Sequence, residues 1–395
     1  IIGADNKGFW PKWADRVQRR PWITAGVALG VIVVIALPFF SLQLGSADQG
    51  TDPAGSQTRV GFDLLSKGFG PGFTGPLMVV GVVQPDQRDV VDTLVADVKT
   101  QPGVAEVAQP LYIPSRTGNG DVVLVNVYPT TSPQDAATTD LVNHLRADTV
   151  PQAAGDSGVK FLVGGTTAIY IDFANVLSSK LPLFIGLVVL LSFLLLMTVF
   201  RSVLIPLTAA VMNLLSIGAA LGILVAVFQW GDLGGVIGLS GTGPIEAFLP
   251  VMLFAILFGL SMDYQVFLVS RMHEEYLKSG GDNTVAVRKG LAATGKTITA
   301  AALIMILVFA SFILGGQRVI KEFGIGLAAG VAVDAVIIRM CIVPSLMMLF
   351  GKANWWFPGW LDRILPKLSV DADDLVTPAT GGTGPEPELA GAGRP

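Results

Sequence analysis

The sequence predicts a polytopic α-helical membrane protein: six transmembrane helices in a 1+5 arrangement, with an α+β domain of ferredoxin-like order inserted after the first. Three observations predict it. Of the 395 residues, 51% are hydrophobic and only 14% are charged, against about 25% charged in an average soluble domain. The apolar residues gather in six runs, and about 20 such residues suffice to cross about 30 Å of hydrocarbon. Between the first run and the other five lies a stretch of ordinary composition with strand and helix patterning.

The six runs fall at 22–40, 181–200, 203–228, 248–270, 298–315 and 323–350. Residues 1–20 form a basic juxtamembrane segment, with Trp10 and Trp13 where an interfacial aromatic belt would place them. The first transmembrane helix occupies 21–40. Within the inserted domain, 41–180, the expected order is strand Leu77–Val83, helix Arg88–Lys99, strand Gly103–Tyr112, strand Asp121–Tyr128, helix Pro133–Asp148 and strand Val159–Val163. That is the split β-α-β, ferredoxin-like arrangement. A five-helix bundle follows at 181–350, then an amphipathic interfacial segment at 351–370. The last segment, 371–395, is too rich in Gly, Pro, Ala and acid to bury a core, and is expected to be a disordered tail.

Basic residues set the expected orientation. Lys7, Lys12, Arg16, Arg19 and Arg20 precede the first span; Arg271, Lys278, Arg288, Lys289 and Lys296 fall in the stretch 271–297, read as a loop; 229–247 has no Lys or Arg. Both termini are therefore expected in the cytoplasm and the inserted domain outside it, with Arg318 and Lys321 opposing the trend. The chain begins at Ile1, and the expectation is a fragment whose first part is missing.

Composition also narrows the function classes. A net charge of −4 without a basic patch gives no sign of nucleic-acid binding. The single cysteine, Cys341, forms neither an internal disulfide nor a thiolate cluster. His144 and His273 have no metal-ligand neighbours at useful spacing and read as surface and headgroup residues. There is no phosphate-binding glycine loop and no nucleophile–base set, so no enzyme and no cofactor are expected.

The chemistry-bearing residues lie in the apolar runs. Asp263 sits a few residues past the middle of the fourth run, roughly 6 Å from the bilayer centre at 1.5 Å per residue. A carboxylate there costs about 2.5–3.5 kcal/mol on insertion scales. It is therefore expected to face the bundle and find a partner, with Tyr264 beside it to extend a hydrogen-bond chain. Desolvation raises the pKa of a carboxyl group, so the pair reads as a proton relay, or else as a permanent structural bond between helices. Asp334 in the sixth run, with Ser261, either joins that relay or pins helices together. Arg339 lies about 140° round from Asp334 on an ideal helix, which makes them poor partners and leaves Arg339 to snorkel towards the cytoplasmic face. Lys321 and Glu322 read as a solvated helix start. Thr297, Thr299 and Ser311 read as relay or interhelical glue, and Gly324, Gly326 and Gly330 as sites of close helix approach. Phe62, Phe69 and Phe73, interleaved with Gly68, Gly70 and Gly72, form a flexible aromatic segment that touches lipid chains or packs on its own domain.

Three stretches carry a resemblance. GLSMDYQVFLVSRMHEEY (259–276), VGGTTAIYIDFANVLSSKLP (163–182) and DAVIIRMCIVPSLMMLFGKANWWFP (334–358) together resemble the mycobacterial membrane protein large (MMPL) family of the resistance-nodulation-division superfamily. The resemblance spans roughly residues 10–360. It implies twelve spans in two repeats, each repeat being one helix, an outer porter domain and five helices. This chain matches the second repeat; the first, with its own Asp-Tyr pair, is the missing partner. It further implies a plasma-membrane exporter in which protons entering through Asp263 and Tyr264 drive lipid or other hydrophobic cargo outwards, among membrane lipid. A non-transporting lipid-binding or scaffold protein of the same fold is the competing expectation.

Overall fold

The computed structural model describes residues 8–114, 120–232 and 234–363. A short amphipathic helix, α1 (Phe9–Arg19), leads at Pro21 into the first span, α2 (Pro21–Ala36), which tightens into a 3-10 turn at Leu37–Ser41. The chain leaves the bundle through a two-residue strand, β1 (Leu44–Gly45), and a helix, α3 (Gln57–Phe69). The inserted domain follows as β2 (Leu77–Val83), α4 (Arg88–Lys99), β3 (Val104–Val107), β4 (Leu111–Pro114), β5 (Asp121–Pro129), α5 (Ala136–His144), α6 (Val150–Ala154) and β6 (Phe161–Gly164). Five helical spans and a two-residue strand follow: α7 (Thr166–Phe200), α8 (Leu204–Leu224), β7 (Ile245–Glu246), α9 (Leu249–Lys278), α10 (Asn283–Ser311), and a last span made of α11 (Arg318–Ala332), a π-helical segment (Val333–Ile342) and α12 (Val343–Phe350).

The sheet order β3-β5-β2-β6, antiparallel throughout, is that of a ferredoxin-like domain. Alternating Leu77, Val79 and Val83 on β2 and Val123, Val125 and Val127 on β5 turn inwards against Val91, Leu94 and Val98 of α4 and Leu141, Val142 and Leu145 after β5. Two details depart from the sequence reading. The strand expected over Gly103–Tyr112 is two strands, β3 and β4, which pair with opposite ends of β5; Pro110 between them has no N–H to offer a ladder. The helix expected from Pro133 starts at Ala136, because the Asp135 carboxylate accepts the Ser132 N–H (2.9 Å) and holds 132–135 as a turn.

Among the described residues, six helices are long and apolar enough to cross a membrane. The third and sixth spans are 67% buried, whereas the first, second and fifth mostly face outwards. Val27, Val34, Leu187, Leu191, Ile304 and Leu307 are exposed on those peripheral spans, as a lipid-facing surface requires. The central spans approach closely through small residues. A Cβ on Gly330 would meet the Leu257 side chain, and one on Gly222 would strike the Ile35 carbonyl.

Helix boundaries are longer than the apolar runs. α7 extends about 52 Å at 1.5 Å per residue; Thr167, Ala168 and Ile171 at its start are buried in the inserted domain, and it passes residue 180 unbroken into the bundle. The 271–297 stretch, read as a loop, is two helix extensions joined by a tight turn. Gly280 and Gly281 take positive φ there, and the Asp282 carboxylate caps α10 by accepting the Thr284 and Val285 N–H groups. Beyond α12, Asn354 and Trp355 dock on the bundle: Asn354 donates to the Met347 carbonyl (2.7 Å) and Trp355 Nε1 donates to Asn283 (3.0 Å). Trp356 and Trp360 stay exposed. The tail expected over 371–395 lies outside the described residues.

Candidate functional site

A buried polar cluster lies where α8, α9 and the π-helical part of the last span meet. Asn213 comes from α8, Ser261 from α9, and Asp334 and Arg339 from the π segment; all four are buried. Arg339 Nε donates to Asp334 Oδ2 at 2.8 Å, and its Nη2 donates to Ser261 Oγ (2.7 Å) and to the Ser261 carbonyl. Ser261 Oγ is also 3.0 Å from Asp334 Oδ1 and hydrogen-bonds Asn213 Oδ1. The Tyr264 ring lies 5.3 Å from the Arg339 guanidinium carbon, a cation–π contact, and its hydroxyl meets Met305 Sδ at 3.3 Å.

This corrects the expectation that Asp334 and Arg339 cannot pair and that Arg339 snorkels. An α-helix separates residues five apart, but the wider π-helical turn repeats at that spacing. Ten π-helical residues, Val333–Ile342, therefore bring the two side chains onto one face and turn Arg339 inwards, where it is 1% exposed. Arg339 Nη1 and Asn213 Nδ2 are buried without a protein partner. Beside them is a cavity of about 10 Å³ lined by Asn213, Ser216, Ser261, Tyr264 and Asp334, about the room that one water needs.

Asp263 does not face this cluster. It is exposed on α9 and makes no hydrogen bond or ion pair among the described residues. Its neighbours at helical spacing, Met252, Ala255, Gly259 and Phe267, are exposed too. The reason is angular: Ser261, Tyr264 and Gln265 take the inward face, and Asp263 lies about 100° from Tyr264. The expected Asp-Tyr pair is thus split, Tyr264 reaching inwards to Arg339 and Asp263 outwards.

A second polar knot closes the N-terminal end of the last span, next to the inserted domain. Arg318 Nε donates to Glu322 (2.9 Å) and Nη2 donates to the Gly243 and Pro244 carbonyls (2.7 and 2.9 Å); Lys321 Nζ donates to the Ile237 and Gly238 carbonyls. Arg318, Lys321 and Glu322 are all buried, so the reading of a solvated helix start was wrong. The segment between α8 and α9 folds over them, held by the parallel pairing of β7 with β1. Glu246 on β7 accepts the Ala47 N–H (2.6 Å) and gives its own N–H to Glu322 (3.3 Å). Burial raises the pKa of Glu246 and of Asp48 above the usual carboxylate range, despite Arg318 and their backbone donors. No periodic signal in 229–247 announces this knot.

The aromatic segment is ordered. Gln57–Phe69 is a helix capped by Ser56, which accepts the Arg59 N–H (3.2 Å), and it ends at Gly70 with φ +97°. Phe69 stacks on Phe73 and Phe73 on Tyr128, with ring centres 4.5 and 5.1 Å apart. Phe62 lines a cleft of about 480 Å³ between the inserted domain and the bundle, with Asp48, Gln134 and Trp230. Next to it, a second cleft of about 560 Å³ is lined by Gln43, Gln134, Tyr170, Ile171 and Asn175. His144 is a surface residue hydrogen-bonded to Gln101 (3.0 Å), and the His273 ring packs 5.0 Å from Trp355.

Comparison with known proteins is consistent across the chain. Residues 53–367 match the model of the MMPL family. The chain is 40% identical to membrane protein YdfJ of Bacillus subtilis, over 92% of its own length and 49% of that protein's. It is 35% identical to the mycolic acid-containing lipids exporter MmpL11 of Mycolicibacterium smegmatis (94% of this chain, 40% of the relative). It is 31% identical to the trehalose monomycolate exporter MmpL3 of Mycobacterium tuberculosis (97% and 41%). The chain therefore spans half or less of the length of these relatives.

Proposed function

Since the chain belongs to the MMPL family of multi-pass membrane transporters, we propose that it is one repeat of an exporter that moves lipids or other hydrophobic molecules outwards across the plasma membrane, driven by protons. The observation that carries the proposal is the buried Asp334–Arg339–Ser261 cluster, one helical face away from the unpartnered Asp263.

On this proposal the cluster has two arrangements, set by a proton on Asp334. Without that proton, Asp334 accepts from Arg339, and the single Ser261 hydroxyl hydrogen is shared between Asp334 Oδ1 and Asn213 Oδ1. A proton on Asp334 converts one acceptor into a donor and releases Arg339 towards Asn213, Tyr264 and the cavity. Breaking one partner of a buried pair is costly, about 3–5 kcal/mol, so the helices repack rather than tolerate it. Proton entry over 100 mV contributes about 2.3 kcal/mol per charge, comparable in size. α7, continuous from the outer domain into the bundle, carries the change to the junction clefts.

Asp263 supports the two-repeat reading. A carboxylate left in lipid costs about 2.5–3.5 kcal/mol, and its stripe includes Ala255 and Gly259, small enough for a second helix to approach. The other repeat is the proposed cover, bringing its own acid to the same interface. In this arrangement the outer domain and the clefts are extracytoplasmic, and α1 is cytoplasmic. The lipid cargo class follows the relatives named as lipid exporters; a scaffold of this fold has no need of two intramembrane acids.

The test is proton-gradient-dependent export of a lipid probe by the full-length protein in vesicles. Asp263→Asn is expected to lower it by about 100-fold, the scale of an intramembrane charge, with folding retained. Export at the unaltered rate contradicts the proposal.

A further inference from the structure

Four unpaired cations cluster on one short helix and its elbow. α1 buries Ala14 and Val17, rests its Trp10 ring over Gly295, and donates from Trp13 Nε1 to the Met340 carbonyl (2.8 Å). Its opposite face carries Lys12, Arg16 and Arg19 at i, i+4 and i+7, followed by Arg20 at the elbow into α2. These four are exposed, and among the described residues their side chains have neither an ion pair nor a hydrogen bond. The other basic residues nearby are different. Arg271 and Lys278 pair with Glu274, Lys289 with Glu275, and Arg288 with Asp15.

The four cations line a cleft of about 560 Å³ together with Asp15, Ile23 and Thr24. The Asp15 carboxylate is already engaged by Arg288 at 3.3 Å. The cleft floor is basic, and its membrane-side rim is apolar: Trp22 is 76% exposed and Ile23 56%, with Val27 one turn further along α2. A group that fits must present negative charge to the elbow and hydrocarbon along α2. We propose that this cleft binds the phosphate headgroup of an anionic membrane lipid, with its acyl chains along Ile23 and Val27. Basic pockets beside transmembrane helices recognise such headgroups through charge, and Arg matches phosphate oxygens in a bidentate manner. Because Trp10, Trp13, Ala14 and Val17 fix α1 on the bundle, the cations are held in place before the lipid arrives. The inference stands apart from the export reading, since it concerns binding and holds whichever side of the membrane α1 occupies.

The test uses the full-length protein, delipidated in neutral detergent. Binding of dioctanoyl phosphatidylglycerol, dioctanoyl phosphatidylcholine and inorganic phosphate is read by native mass spectrometry and thermophoresis, without a transport step. Saturable binding of phosphatidylglycerol is expected, at least about tenfold tighter than phosphatidylcholine and weaker at higher salt. The double variant Arg16→Gln/Arg19→Gln is expected to weaken it by about 30-fold, at roughly fivefold per cation. Both arginines are exposed, with no side-chain hydrogen bond or ion pair among the described residues, so the thermal midpoint should hold, which a melt of the same sample checks. Equal affinity for the two lipids, or an unaltered affinity in the double variant, overturns the proposal. If inorganic phosphate displaces the lipid at matched concentration, the site is for a free anion and the lipid assignment fails.

Discussion

Two buried arginine–carboxylate pairs sit on the same span, about 25 Å of helix apart, and they are built differently. The outer pair, Arg318–Glu322, has α-helical i,i+4 spacing; Arg318 Nη2 goes to the backbone carbonyls of Gly243 and Pro244, and Nη1 has no hydrogen-bond partner among the described residues. The inner pair, Asp334–Arg339, needs a π-helical turn to meet; Arg339 Nη2 is shared between the Ser261 hydroxyl and the Ser261 carbonyl, the guanidinium faces the Tyr264 ring, and Arg339 Nη1 and Asn213 Nδ2 are left without a partner beside a small cavity. Backbone partners are fixed by the chain path, whereas side-chain partners rotate. On the proposed function, the outer pair is a clamp that closes the loop over the bundle, and the inner pair, with the Ser261 hydroxyl and a small cavity beside it, is the one expected to change state.

The largest expected effect is on the inner pair. Arg339→Gln leaves the Asp334 carboxylate buried without its partner and should cost about 3–5 kcal/mol, read as a lower thermal midpoint in detergent. Asp334→Asn/Arg339→Gln removes both charges and should recover most of that stability while abolishing proton coupling. Recovered stability with proton coupling retained would mean that the pair is only scaffolding.

Next in size is the clamp. Arg318→Gln should destabilise by about 3 kcal/mol, the lower end for a broken buried pair, because Glu322 keeps the Glu246 N–H as a donor. Proteolysis between α8 and α9 should quicken as the loop lifts. An equal loss of proton coupling in this variant would erase the distinction between the two pairs.

Smaller still is the effect of packing. Gly330→Val would drive a side chain into Leu257 between the last span and α9 and should cost about 1–3 kcal/mol. The smallest effect is a pH dependence. Burial holds the Glu246 carboxyl above its usual 4.5, so the folded chain binds that proton more tightly than the unfolded chain. Its contribution is most favourable below about pH 4.5 and declines as pH rises towards the folded value. Glu246→Gln should flatten that slope, measured as thermal midpoint against pH. An unaltered slope would place the titrating group elsewhere, with Asp48 next in line.

How far the sequence is legible varies with the physics involved. Hydropathy alone locates six spans because lipid makes one demand of every residue, and the alternation in Leu77–Val83 and Asp121–Tyr128 locates the sheet. Asp263, Tyr264, Ser261 and Asp334 stand out because a polar atom in an apolar run is costly. Their geometry does not stand out. Ideal helix angles misplace Arg339, since nothing in VDAVIIRMCI declares a π-helical turn. They also give no hint that Asp263 looks away from its own bundle, which depends on tertiary packing of α9. The burial of Arg318, Lys321 and Glu322 is hidden for another reason: the loop covering them pairs through β7 with β1, some 200 residues earlier in sequence.

The most direct measurement compares proton-coupled export by the full-length protein carrying Asp334→Asn/Arg339→Gln with that carrying Glu322→Gln/Arg318→Gln, both in sealed vesicles under an imposed proton gradient. The account predicts that the inner double variant folds and neither dissipates the gradient nor moves lipid, while the outer one, though less stable, still does both. Coupled export by the inner variant at the rate of the unaltered protein would contradict it.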